Sequence, residues 1–222
     1  MKEPKMEKSM VTPLLDRTFL RVFDLKYAPQ RHYCSVTRRT EEELVAIKSD
    51  KEFASMLPDA VSCCVVLKLP KQAPKLLLTY EYRYPAGRFL LSIPAGLIDE
   101  ADKYSDNPLL SAARREIAEE TGIELGPDDR LFVVNPLLFS SPGMTDESNA
   151  IICAVAELES DEVLSQSSAC GTEIFDGFLL ADKDEALEIL RSGRDPRGNY
   201  YPAYTWIALS YFVSGAWAKE TP

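Results

Sequence analysis

The stretch REIAEETGI, Arg115–Ile123, places three glutamates within five residues: Glu116, Glu119 and Glu120. Because helix positions three and four apart are neighbours, the three carboxylates would share one helix face. Glu116 and Glu120 repel each other at this spacing, and Arg115 is spaced to pair with Glu119. A solvated face usually mixes both signs of charge, so the pattern indicates a divalent-cation site.

The helix that carries these glutamates has clear predicted ends. Asn107 precedes Pro108, which suits the first helical position, and Gly122 is well placed as the C-terminal cap after Thr121. An apolar stripe at helical spacing would face the core: Leu110, Ala113 and Ile117.

Composition narrows the class of protein. The chain has 222 residues, 45% of them hydrophobic, which allows one substantial core with a small subdomain. A net charge of -10 disfavours binding to nucleic acid or to an anionic membrane. No apolar run reaches the roughly 20 residues of a membrane span, and the first ten residues lack an apolar signal core. We therefore expect a cytoplasmic protein.

Cysteine and histidine usage excludes several kinds of site. The five cysteines form no CxxC pair, so we expect buried, reduced thiols. His32 is the single histidine, which argues against a Ser-His-Asp triad or a zinc site with several histidines. A metal ion would instead be held by carboxylates, which favours Mg²⁺ or Mn²⁺.

Strand-like segments with a few helices between them predict a mixed α/β or α+β protein. We expect an N-terminal β subdomain over residues 1–57, with strands at 18–27 and 32–38 and a helix at about 40–57. A larger domain would cover residues 58–222. Its predicted strands are 61–69, 75–83, 88–94, 131–139, 150–158 and 173–180, and its further predicted helices are 183–193 and 203–217.

Just before the glutamate helix, the segment IPAGLIDE (Ile93–Glu100) contains a second candidate element. Ala95 and Gly96 follow the end of a predicted strand, where small residues allow a ligand to approach the backbone. The Ala95 carbonyl could ligate a hard cation.

Together the loop and the helix resemble the signature of the Nudix hydrolases, and Arg115–Ile123 matches all nine of its helix positions. The resemblance implies an α/β/α sandwich with a mixed sheet, and metal-dependent hydrolysis of a nucleoside diphosphate compound. The loop is longer than usual, because Gly96 and Arg115 are 19 positions apart, five more than in the family pattern. Three acids compete for the place of the family's loop glutamate: Glu100, Asp102 and Asp106.

Further stretches resemble the ADP-ribose pyrophosphatase group of that family. They are EYRYPAGRFLLSIPAGLIDE (Glu81–Glu100), SSPGMTDES (Ser140–Ser148) and FLRVFDLKY with HYCSVTRR near the N-terminus. The resemblance implies Mg²⁺-dependent conversion of ADP-ribose or another ADP-sugar to AMP and a sugar phosphate. It also implies a homodimer formed through the N-terminal sheet.

The resemblance assigns roles to individual residues. Arg115 would orient Glu119, and Ser92 occupies a position where the group often has an acid. The predicted metal ligands are Glu116, Glu119, Glu120 and the Ala95 carbonyl. The predicted substrate contacts are aromatic stacking on adenine by Phe19 and Tyr33, phosphate or ribose binding by Arg38 and Arg83, and the loop positions Gly96, Pro142 and Gly143.

Several residues are candidates for the general base, and more than one substrate fits the sequence. Within the loop 159–173, Glu173 is the nearest candidate base and Glu162 competes with it, while Glu120 is an alternative. Another nucleoside diphosphate sugar or a dinucleotide is a second candidate substrate. A non-catalytic nucleotide sensor on the same fold is the third hypothesis.

Overall fold

A computed structural model describes residues 5–168 and 173–219 of the chain. The chain divides into two compact units. The first comprises Met1–Asp59 and Leu137–Asn149, and the second comprises Ala60–Pro136 and Ala150–Pro222. The domain boundary expected after residue 57 stays a prediction.

The first unit contains a three-stranded antiparallel sheet. Its strands are β1 (Val11–Arg17), β2 (Leu20–Ala28) and β3 (Arg31–Thr37), in that order. Strand β1 was not predicted, because its alternation is broken by Pro13 and by the adjacent Leu14 and Leu15.

The single helix predicted at about 40–57 is wrong. The segment forms two 3₁₀ turns, Glu41–Glu43 and Val45–Ile47, followed by the short α1 (Asp50–Ala54). Leu44 between the turns has an extended ψ of 130° and is buried in a small core with Val11 and Phe23. Burial of this side chain therefore outweighs the local helix propensity.

The second unit is built on a mixed sheet of seven strands. Five of them lie in the order β10-β5-β4-β9-β8, while β6 pairs with β5 and β7 pairs with β4. The strands are β4 (Ala60–Lys68), β5 (Lys75–Arg83), β6 (Arg88–Ser92), β7 (Ala95–Leu97), β8 (Arg130–Phe139), β9 (Ser148–Glu157) and β10 (Phe175–Ala181).

Helices cover both faces of this sheet. Successive side chains of β4 alternate between two cores: Val65 packs in the core that contains Ile117, and Val66 packs in the core that contains Leu209. The layers are therefore α/β/α, which confirms the predicted fold class. The helices are α2 (Glu100–Lys103), α3 (Pro108–Thr121), α4 (Lys183–Ser192) and α5 (Ala203–Ser214).

The ends of α3 confirm the sequence signals. The Asn107 side chain accepts a hydrogen bond from the Leu110 backbone N–H at 3.3 Å. Gly122 has a φ of 74°, the left-handed conformation that glycine adopts without strain. These two caps fix where the glutamates of the helix lie relative to the sheet.

Among the described cysteines, Cys63, Cys64 and Cys153 are buried free thiols, while Cys34 is exposed. Cys170 lies outside the described residues. Within the described part of the chain, no helix is both long and apolar enough to cross a membrane.

Candidate active site

The glutamate face of α3 points into the protein. Glu116 is 7% exposed and Glu120 is 3% exposed, while Glu119 is half-buried. Charged side chains are rarely buried to this extent without partners. The face is therefore a buried polar site and not a solvated helix surface.

Arg115 connects this face to the loop before the helix. One guanidinium nitrogen donates to Glu116 Oε1 at 2.7 Å and to Glu119 Oε2 at 3.3 Å. The other donates to the Leu97 carbonyl and to Asp102 Oδ2, each at 2.9 Å. The predicted contact of Arg115 with Glu119 is therefore present, and the guanidinium also holds Glu116 in place.

The longer loop brings one of its three competing acids to this network. Asp102, in α2, is buried and also accepts from the Ser111 hydroxyl at 2.8 Å. Burial opposes its ionisation, but the hydrogen bonds from Arg115 and Ser111 hold its pKa below the usual carboxyl value. Glu100 and Asp106 are exposed, and Glu100 pairs with Lys103.

Gly96 lies against the glutamate face. A Cβ atom at this position would lie 1.9 Å from Glu116 Oε1, so no side chain fits unless the carboxylate moves. Next to it, the Ala95 backbone N–H donates to Glu120 Oε1 at 3.3 Å. Strand β7 thus places its backbone directly beside two of the predicted ligands.

Burial makes two of these carboxylates hard to ionise. It raises the pKa of Glu116 to about 7, although Arg115 works against the shift. It also raises the pKa of Glu120 well above the usual value, and the negative charge of Glu81 adds to that effect. Glu120 Oε2 is buried and has no hydrogen-bond partner, which is an uncommon state for a buried carboxylate oxygen.

The donor set fits a hard divalent cation. It offers carboxylate oxygens, the ligands such ions prefer, and Glu120 Oε2 is unpaired. Within residues 5–168 and 173–219, no three Asp, Glu, His or Cys side chains already converge as a complete ligand set. Arg115 instead neutralises Glu116 and Glu119 through its own contacts.

Strand β5 contributes Arg83 and a residue that the sequence analysis did not assign. Glu81 is 7% exposed and forms an ion pair with Arg83 at 2.6 Å. An available signal was the period of two, which puts Glu81 and Arg83 on the same face of the strand. Burial raises the pKa of Glu81, against the effect of Arg83.

The two candidate bases of the late loop differ in their surroundings. Glu173 is exposed, and its negative charge raises the pKa of Glu81, Glu116 and Glu120. The neighbouring Ile174 carbonyl accepts from the Tyr82 backbone N–H at 2.8 Å. Glu162 lies in an exposed 3₁₀ turn, Asp161–Val163.

The remaining predicted substrate residues belong to the first unit. The Tyr33 hydroxyl donates to the Gly143 carbonyl, beside the exposed Pro142. Arg38 pairs with Glu147 at 3.3 Å. Phe19 is 77% exposed in the turn between β1 and β2, so its placement within a predicted strand at 18–27 was wrong.

The fold and the site define a class: an α/β/α protein with a buried, carboxylate-lined helix face beside a glycine loop. The family model of the NUDIX domain matches residues 56–201, well over half of the chain. The chain therefore belongs to the Nudix family, whose hydrolases generally use divalent metal ions.

Relatives of known name are similar to parts of the chain. "Putative nudix hydrolase 2" of Caenorhabditis elegans is 30% identical over 133 residues, 60% of this chain and 50% of that protein. "ADP-ribose pyrophosphatase" of Saccharomyces cerevisiae is 29% identical over 123 residues, 55% and 48% of the two chains. The chain thus spans about half the length of the curated relatives it matches.

A further named relative and a solved structure are also similar to this chain. "ADP-ribose pyrophosphatase" of Mycobacterium tuberculosis is 36% identical over 77 residues, 35% of this chain and 33% of that one. A solved structure described as "Crystal structure of ADP compounds hydrolase" superposes with a TM-score of 0.53 and 20% identity, covering 94% of both chains. At this identity it shows the shared fold alone.

Proposed function

We propose that the protein is a Mg²⁺-dependent hydrolase that splits the diphosphate of ADP-ribose or a related ADP-sugar into AMP and a sugar phosphate. The observation that carries this proposal is the pairing of Gly96 with the buried glutamate face of α3. Similarity to two relatives named ADP-ribose pyrophosphatase supports the choice of substrate.

Each group of the site then has a role. Glu116, Glu119, Glu120 and the Ala95 carbonyl would hold Mg²⁺, or Mn²⁺ in its place, and Arg115 would keep Glu116 and Glu119 oriented. The bound metal neutralises the charge of the diphosphate and lowers the pKa of a water molecule. Arg83 would bind phosphate oxygens through its guanidinium fork.

A general base must take the proton of the attacking water. Glu173 is our proposed base, because its negative charge raises the pKa of Glu116 and Glu120, whereas Glu162 lies in the exposed turn Asp161–Val163. Glu120 is the alternative. Glu173→Gln separates the two: if Glu173 is the base, kcat falls by roughly 100-fold or more, whereas if Glu120 is the base the variant keeps most of its kcat.

The first unit would bind the adenosine part. Phe19 and Tyr33 offer exposed aromatic rings for stacking, and Arg38 with Pro142 and Gly143 would contact the ribose or phosphates. A second candidate substrate is a different nucleoside diphosphate sugar or a dinucleotide. The observation that favours it is Ser92, which replaces the acid expected beside the distal sugar.

The test is incubation with Mg²⁺ and a panel of nucleoside diphosphate compounds, followed by chromatography of the products. Release of AMP from ADP-ribose well above every other substrate is the expected result. Turnover of a guanine or uridine sugar alone would replace the main proposal by the second. Binding without turnover, for each of several metals, would leave a non-catalytic nucleotide sensor.

A further inference from the structure

Glu81 is a buried carboxylate that lies outside the glutamate helix. Because side chains alternate along a strand, Thr79, Glu81 and Arg83 face the same side of β5. Leu77, on the same side of β5, packs in the core that contains Ile117 of α3, so this side of the strand faces the glutamate helix, and the charge of Glu81 acts on Glu120. Glu81 is thus part of the site's surroundings, and the proposed ligand set does not use it.

Arg83 fixes the Glu81 carboxylate. Its Nη2 atom lies 2.6 Å from Glu81 Oε2, and the Ser92 hydroxyl, on the neighbouring strand, works with Arg83 against the burial that raises the pKa of the Glu81 carboxyl. Ser92 lies directly across from Thr79 in the β5–β6 pair, and therefore diagonally from Glu81. A buried carboxylate needs such partners, because burying its charge alone is costly.

The two arginines of this region, Arg83 and Arg115, differ in how fully protein groups occupy their guanidinium donors. Arg115 donates to four protein oxygens, on Glu116, Glu119, Asp102 and Leu97. The Arg83 side chain is 42% exposed and is tied to a carboxylate that is itself only 9% exposed. A guanidinium carries five N–H donors, so a carboxylate on one edge leaves the other edge able to bind an anion.

We propose that Glu81 is a positioning residue, which anchors one edge of Arg83 so that the other edge binds the substrate diphosphate. Ser92 is compatible with this arrangement, whereas an acid at position 92 would repel Glu81. The inference rests on the proposed function for the identity of the anion, but the anchoring itself depends only on β5 and β6.

The test measures binding of two probes in Mg²⁺ by calorimetry: inorganic pyrophosphate and a methylene-bridged ADP-ribose that cannot be hydrolysed. Glu81→Gln keeps the shape of the side chain but loses the charge that fixes Arg83. We expect probe affinity to fall roughly 10-fold, the scale of one lost charge-assisted hydrogen bond. With ADP-ribose as substrate, KM should rise by a similar factor while kcat changes little.

The decisive comparison is made in an Arg83→Gln background. If Glu81 acts through Arg83, then Glu81→Gln causes no further loss once Arg83 is replaced. Additive losses, or native affinity in the single Glu81→Gln variant, would overturn the proposal. The control is Glu157→Gln, which removes the partner of an exposed lysine, Lys68, and should leave binding and turnover at native values.

The outcomes separate this inference from the proposed function. A native protein that hydrolyses no nucleoside diphosphate, yet binds pyrophosphate with the expected coupling of Glu81 to Arg83, contradicts the function and retains the anchoring. A native protein that cleaves ADP-ribose but shows additive losses contradicts the anchoring alone. Failure of the native protein to bind either probe overturns both.

Discussion

Glu120 shows the conflict between stability and binding at the scale of one residue. Its carboxylate is 3% exposed, accepts one long hydrogen bond from the Ala95 N–H, and leaves Oε2 unpaired. A buried polar atom without a partner costs about 1–3 kcal/mol. The site therefore carries a cost in the metal-free protein that a bound cation would remove.

This cost predicts the pH dependence of stability in the metal-free protein. The pKa of Glu120 is raised well above the usual 4.5 by burial first and by Glu81 second. The folded state thus holds the proton more tightly than the unfolded chain does. The contribution to stability is fully present below about pH 4.5 and is lost as pH rises through the folded-state pKa.

We predict that Glu120→Gln stabilises the metal-free protein at pH 7.5, because the amide carries no charge and can still accept from the Ala95 N–H. The expected gain is about 1–3 kcal/mol in the free energy of unfolding. Urea unfolding in EDTA measures it, and at pH 4 the gain should vanish. A variant less stable than the native protein at pH 7.5 would contradict this explanation of the site.

At the scale of elements, the site depends on how closely β7 approaches α3. Gly96 has no side chain, and the Glu116 carboxylate occupies the space where one would lie. Asp102 in α2 fixes the same carboxylate indirectly, through Arg115. Strand β7, α2 and α3 together therefore hold Glu116 in a single position.

Replacing Gly96 by Ala should displace the Glu116 carboxylate while leaving the fold intact. We expect kcat/KM for the substrate identified in the panel to fall roughly 10- to 100-fold, as for loss of a group that orients a metal ligand. Gly126→Ala is a matched control, since its Cβ would meet Asp129 Oδ2 at an ordinary 3.7 Å. Equal kinetics for the two variants would show that the close approach has no role.

Individual elements could be predicted from the sequence, but contacts between elements could not. Helix α3, its caps and the span of β5 followed from local signals, because Asn107, Gly122 and the apolar periods act over a few residues. The contact of Asp102 with Arg115 and the effect of Glu81 on Glu120 were missed. These depend on how separate elements pack, which no local pattern records.

At the scale of the whole molecule, we propose a homodimer formed through the first unit. Large apolar side chains are exposed along its β1 and β2 strands, among them Leu14, Leu15 and Leu20. Such exposure is typical of a surface that another chain covers. This exposed apolar surface was not predicted from the sequence, because β1 itself was not predicted.

Sedimentation at micromolar concentration should show a dimer. Leu14→Asp should shift it toward the monomer, because a buried charge without a partner opposes association. Val163→Asp, at an exposed position of the second unit, is the control and should remain dimeric. A native protein that sediments as a monomer would contradict the proposed assembly.

The central claim is that the glutamate face of α3 holds the metal for diphosphate hydrolysis. The most direct measurement is the rate of AMP release from ADP-ribose across a Mg²⁺ titration, for the native protein and for Glu120→Gln. We predict Mg²⁺-dependent AMP release by the native protein and a rate lower by on the order of 100-fold in the variant, even at saturating Mg²⁺. Equal rates for the two proteins, or AMP release that does not depend on Mg²⁺, would contradict the claim.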